Sequence, residues 1–120
     1  MKRPLAIFFL VGILSPTARA DTACEAERLL DFIESSQCTF VRNGNKYDAA
    51  DARAHIQRKY DYIEGRIETT EQFIKYAATE SSTSGEPYTV ICAGGEEPSA
   101  DWLKRELARL RAASECAGGR

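Results

Sequence analysis

The sequence is short of several things at once. One histidine stands among 120 residues, so imidazole chemistry must use His55, and a site built from several histidines is excluded. No two of the four cysteines stand two to four residues apart, and the histidine is far from all of them. Zinc–thiolate sites draw on such close pairs, so neither a metal nor any other cofactor is expected. There is no Gly-x-Ser-x-Gly elbow for a serine nucleophile. Sixteen basic residues face eighteen acidic ones, without the basic patch that a nucleic-acid partner would need. Long apolar runs are missing too. The one present, Leu5 to Leu14 with Gly12 inside it, has about half of the roughly 20 residues needed to cross a bilayer.

That run has another use. Met1-Lys2-Arg3 is a basic start, Ser15-Pro16-Thr17 ends the apolar stretch, and Ala18-Arg19-Ala20 puts small residues where a signal peptidase reads them. The pattern predicts a secretory signal peptide over 1–20 with cleavage after Ala20. Residues 21–120 are then expected to form one domain, periplasmic or secreted. Its charge is more negative than the whole chain's: three of sixteen basic residues leave and all eighteen acidic ones stay, taking −2 to −5. All four cysteines, Cys24, Cys38, Cys92 and Cys116, lie in this part. An even count in a small exported chain reads as two disulfides, with three connectivities open. Domains of this size bury only about 60–70% of their unfolded surface, so covalent staples matter.

The hydrophobic periods predict an α+β domain, with about four helices around a two-stranded antiparallel ribbon. Cys38–Arg42 and Tyr88–Cys92 read as the strands. Laid antiparallel with Cys38 opposite Cys92, they set Phe40 against Val90 and Arg42 against Tyr88. The first helix is expected over Thr22–Ser36 with Ala26, Leu29, Leu30 and Ile33 inward. Asn43-Gly44 tolerates positive φ and marks a turn, which need not close a hairpin, since helical pattern follows it. Asp48 caps a second helix carrying Ala52, Ile56, Tyr60 and Ile63, and Gly65 is its expected C′ residue. Thr69 and Gln72 form a capping box for a third, with Phe73, Ile74 and Ala77. Residues 81–87 read as a loop and 93–97 as a flexible link. Ser99 then caps a last helix with Trp102, Leu103, Leu107 and Leu110 buried, and Arg105, Arg109 and Arg111 on a solvated face. Gly118-Gly119-Arg120 is expected to fray. No internal repeat is visible in the residues.

Four segments together resemble a bacterial family of small exported proteins that carry a domain of unknown function. They are Cys38-x-Phe40-Val41-Arg42-Asn43-Gly44, His55-Ile56-x-x-Lys59-Tyr60, Ser81-Ser82-x-Ser84-Gly85-x-Pro87-Tyr88 and Trp102-Leu103-x-x-Glu106-Leu107. The resemblance covers most of residues 29–111. It implies export and a Cys38–Cys92 bridge, and brings no activity, substrate or cofactor with it. Cys24 and Cys116 lie outside those segments. If the first and last helices run antiparallel, the start of one meets the end of the other, which pairs Cys24 with Cys116.

Two constellations could carry function. Asp51, His55 and Lys59 form an i, i+4, i+8 row beside the apolar stripe. His55 could serve as a general base for a serine of the 81–84 loop, making the protein a small envelope hydrolase. The bland reading is a half-buried histidine donating to a backbone carbonyl. The second constellation is Arg42, Asn43, Ser82, Ser84 and Tyr88 at one end of the ribbon, flanked by His55 and Lys59. An arginine, a phenol, an amide and hydroxyls suit carboxylate or sugar recognition. Its bland reading is Arg42 stacked on Tyr88, with serines satisfying loop carbonyls. Since no complete catalytic set is present, a binding module for an envelope ligand or protein is the preferred expectation.

Overall fold

A computed structural model describes residues 16–117, with side chains from Asp21 onward. The expected signal segment with its cleavage point, and the terminal Gly118-Gly119-Arg120, lie outside those side chains. The chain order is α1 (Pro16–Ser35), β1 (Thr39–Arg42), β2 (Asn45–Tyr47), α2 (Ala49–Ile63), a 3₁₀ turn (Glu64–Arg66), α3 (Thr70–Ala77), β3 (Thr89–Cys92), β4 (Gly95–Pro98) and α4 (Ser99–Ala112). The strands form one antiparallel sheet in the order β2-β1-β3-β4.

The expected ribbon is therefore the centre of a wider sheet. β1 and β3 pair with Phe40 opposite Val90, Thr39 opposite Ile91 and Val41 opposite Thr89. Each has gained a short outer partner. Asn43-Gly44 does close a hairpin: Arg42 pairs with Asn45, and φ values of 52° and 77° at Asn43 and Gly44 suit the tight two-residue loop. Residues 95–97, expected to be flexible, pair with β3 instead, with Gly95 at φ 120° beginning the strand. Asn45-Lys46-Tyr47 and Gly95-Glu96-Glu97-Pro98 have no apolar alternation because they are mostly exposed edge strands. Charge and proline on an edge also discourage pairing with other chains.

The helices follow their stripes. Ala26, Leu29, Leu30, Ile33, Ala52, Ile56, Tyr60, Phe73, Ile74, Ala77, Trp102, Leu103, Leu107 and Leu110 are buried together with Phe40 and Val90. Trp102 packs between two rings, its centroid 4.5 Å from that of Phe32 and 5.5 Å from that of Phe40. The Asp48 cap and the Thr69–Gln72 capping box are both formed. Three local expectations are corrected. α1 starts at Pro16 and not Thr22. Gly65 lies inside the 3₁₀ turn, without the positive φ of a C′ glycine. Ser99 does not cap α4; its buried hydroxyl donates to the Ala78 carbonyl at 2.6 Å, tying α4 to the end of α3.

A repeat invisible in the residues emerges in three dimensions. Each half of the chain runs helix–hairpin–helix, and the sheet order reads the same from either edge. Adding fifty to the numbers of Thr39–Ala49 gives Thr89–Ser99, and the two stretches show the same sequence of buried, half-buried and exposed positions. Leu29, Leu30 and Ile33 share their spacing with Phe73, Ile74 and Ala77, all fully buried. The sequence hides this because a repeat of burial needs only apolar character, which Phe40 and Val90 supply equally. The halves differ most in one link: residues 36–38 join α1 to β1, whereas 78–88 join α3 to β3.

Two disulfides close the structure, Cys24–Cys116 and Cys38–Cys92, nested as expected. Beside the outer one, Glu25 is buried and accepts from Thr70 Oγ1 at 2.5 Å and from Arg111 Nε at 3.0 Å. Arg111 also reaches Glu71 at 2.7 Å, so this arginine of the solvated face crosslinks α1, α3 and α4. The inner bridge joins residues 54 positions apart, for which the chain-entropy estimate is about 4 kcal/mol. Replacing Cys38 and Cys92 by Ala should lower the unfolding free energy by about that amount in denaturant titration. A loss below about 1 kcal/mol would show that β1–β3 pairing holds without the staple.

Candidate functional site

The stapled end of the central strand pair has a counterpart at the other end. Cys38 and Cys92 close one end, with Cα atoms 4.7 Å apart. Running the β1–β3 register the other way brings Arg42 beside Tyr88. A cavity of about 230 Å³ opens there, lined by Phe40, Arg42, Tyr47 and Tyr88 and by Asp51, His55 and Arg58 of α2. The buried pair Ala52 and Ile56 docks α2 on the core, which brings the neighbouring Asp51 and His55 to the rim of the sheet.

Tyr88 is fixed by its backbone, its N–H donating to the Thr79 carbonyl and its carbonyl accepting from the Ser99 N–H, both at 2.9 Å. Its ring is buried. At the phenol oxygen two groups converge: Lys59 Nζ donates from 3.2 Å, and His55 Nε2 lies 3.2 Å away. Lys59 can only donate to the phenol oxygen; where the phenol in turn donates to His55, Nε2 is the acceptor and a neutral ring carries its proton on Nδ1. Burial, then the nearby positive charges of Arg42, Lys59 and Arg58, lower the His55 pKa and favour that neutral form. Lys59 also donates to the Glu80 carbonyl at 3.1 Å and sits 5.1 Å from the Tyr88 ring centroid. The cation over that ring is thus Lys59, not Arg42.

Arg42 is left without a counter-charge. Among the described residues, Arg28, Arg53, Arg105, Arg109 and Arg111 all form ion pairs. Arg42, Arg58 and Arg66 form none. The Arg42 Nε is buried with no hydrogen-bond partner, a costly state for a charged group.

The remaining expected residues separate into framework and outlier. The Asn43 side chain is engaged within the chain; its Nδ2 donates to Ser81 Oγ at 3.1 Å and its Oδ1 accepts from Ser84 Oγ. These bonds fasten the β1–β2 turn to the 78–88 link and so brace Arg42. Ser81, buried, bonds Thr83 Oγ1 at 3.0 Å; its role gave no signal beyond the serine-rich composition. Ser82 is exposed and lines an adjoining depression with Lys59, Tyr62 and Tyr76, which shares His55 and Arg58 with the cavity. The hydrogen-bond partner of His55 is thus a phenol, neither a serine, nor Asp51, nor a backbone carbonyl. Tyr47 and Arg58 were missed, Tyr47 because its strand was, Arg58 because one helical arginine looks like another.

Groups of three or more His, Cys, Asp or Glu able to hold a metal do not occur among the described residues. Nor, among them, is any helix long and apolar enough to cross a membrane.

Because the folded-state pKa of His55 is depressed, acidification protonates the unfolded chain first. The stability linked to His55 is complete above its unfolded value of about 6.5 and declines as pH falls from there toward the folded value. Denaturant titrations at pH 7.5 and 5.5 should show a loss for the wild type that is smaller in His55→Gln. Equal losses in both proteins would mean that His55 is not held neutral by this pocket.

The family model described as "Family of unknown function (DUF5329)" matches residues 20–111. A curated relative from Salmonella typhimurium, "Uncharacterized protein YfeK", is 40% identical over 55 residues, which is 46% of this chain and 46% of the relative. The alignment thus spans about half the length of that relative. No solved structure matches the chain. With most of its length matched by the family model, from the start of the described side chains to the end of α4, the chain belongs to the DUF5329 family of unknown function.

Proposed function

We propose that this protein is an exported binding module of the cell envelope, capturing its partner at the unstapled end of the central strand pair. The observation that carries the reading is Arg42, a cation on a cavity wall with a buried, unpartnered Nε and no carboxylate at ion-pair distance among the described residues. Native chains seldom leave such a group unsatisfied. An anionic group on the partner would satisfy it. Phe40, Tyr47 and Tyr88 would cover an apolar or sugar face beside it.

Export rests on the basic and apolar start of the chain and on the two disulfides, which persist in oxidising compartments such as the periplasm. A hydrolase using His55 is the rival class. It would need a nucleophile delivered to a ring nitrogen whose neighbour is already the Tyr88 phenol. Binding asks for no such rearrangement.

Removing a half-buried side chain whose guanidinium forms no ion pair should leave stability within about 1 kcal/mol of wild type. Arg42→Ala should therefore keep its melting temperature while losing the partner that the wild type captures from an envelope extract. Capture unchanged in Arg42→Ala would put the binding surface elsewhere. Hydrolysis of envelope material that disappears in His55→Ala would establish the enzyme class instead.

A further inference from the structure

Resting on that reading, we infer that the cavity takes a singly charged carboxylate on a compact apolar body about the size of one ring. Volume sets the body. An apolar cavity of about 150 Å³ holds benzene, so about 230 Å³ admits a ring and a small head group within its walls. The wall agrees, with Phe40, Ala52, Ile56 and the Tyr88 ring contributing carbon surface.

Charge sets the head group. Arg42 and Arg58 bring two positive charges to the wall and Asp51 one negative, while His55 is neutral. The lining therefore carries one net positive charge, which a monoanion balances. Lys59 is not part of the wall; its ammonium is engaged by the Tyr88 oxygen and the Glu80 carbonyl. The Tyr88 phenol is engaged by His55 and Lys59, so the charged donors left on the wall are the guanidinium N–H groups of Arg42 and Arg58. Their planar fork matches the two oxygens of a carboxylate. A phosphate dianion would bring excess charge beside Asp51, and a neutral sugar would leave Arg42 unpaired.

Such a head group occurs on free organic acids and at the C-terminus of a peptide ending in an apolar residue. The chemistry is the same, and the probes below tell the two apart.

The test is an amide and histidine NMR titration of the oxidised protein with phenylacetate, phenylacetamide, inorganic phosphate, and N-acetyl-Gly-Phe with a free or an amidated end. Phenylacetate or the free-ended peptide should shift Arg42, His55 and Tyr88, and phenylacetamide and the amidated peptide should not. Tighter binding of the peptide assigns the carboxylate to a chain end, and tighter binding of phenylacetate assigns it to a free acid. Affinity should fall roughly ten- to a hundredfold in Arg42→Gln, the value of a charged hydrogen bond, and by a smaller factor in Arg58→Gln, whose side chain is exposed. Equal shifts from phenylacetamide or phosphate would overturn the carboxylate assignment and leave the binding reading intact. If no probe shifts these residues while envelope capture still depends on Arg42, this inference alone fails. If capture is also independent of Arg42, both fail.

Discussion

The register between β1 and β3 is the constraint on which the rest depends. Side chains alternate along a strand, so a slip of one residue would turn Phe40 and Val90 out of the core and separate Cys38 from Cys92. Core packing and the inner disulfide therefore specify the same register by different means. With the pairing in place, both hairpins follow, because each central strand folds back at once on a short polar partner. α2 and α4 then pack on the sheet, and α1 and α3 join them around the same core.

That register also makes the two ends of the pair equivalent by topology, and the chain uses them differently. Shifted by fifty residues, Cys38 corresponds to Tyr88 and Arg42 to Cys92. One end holds a covalent bond; the other holds an unpaired cation beside a phenol. The asymmetry comes from the longer 78–88 link. Its isolated pairing of Glu80 with Pro87 and its bonds to Asn43 fold it over the β1–β2 turn. It supplies Tyr88 in a fixed pose and a carbonyl for Lys59. An extension of one half of a symmetric frame thus borders the end of the sheet where Arg42 stands without an ion pair.

Several charges elsewhere are paired within the chain. Arg53 lies within ion-pair reach of Glu27, Asp31 and Glu34 across α1 and α2, and Arg111 gathers Glu25 and Glu71. Exposed pairs of this kind contribute little to stability each. Glu25 differs because it is buried and accepts bonds from two elements at the point where the outer disulfide closes. Arg42 differs from these arginines in having a buried Nε with no hydrogen-bond partner, the feature on which the proposed binding role rests.

Sequence alone determined the elements with strong periods or end signals. Those were the stripes of the four helices, the Asp48 and Thr69 caps, the central strands and their register, and through these the nested disulfides. Each is legible because its physics is local, or because one apolar face leaves a single acceptable register. Tertiary structure alone decided the outer strands, whose polar residues show no alternation when only one edge is paired. It decided the repeat of the two halves, since burial is conserved between them while residue identity is not. It also sorted the candidate residues. Arg42, His55 and Tyr88 come together at the cavity, Lys59 stands behind the phenol, Asn43 and Ser84 turn into framework, and Ser82 falls outside. That sorting turns on which donor finds which acceptor across 29 to 41 positions of chain, and no local pattern of residues encodes a pairing at that range.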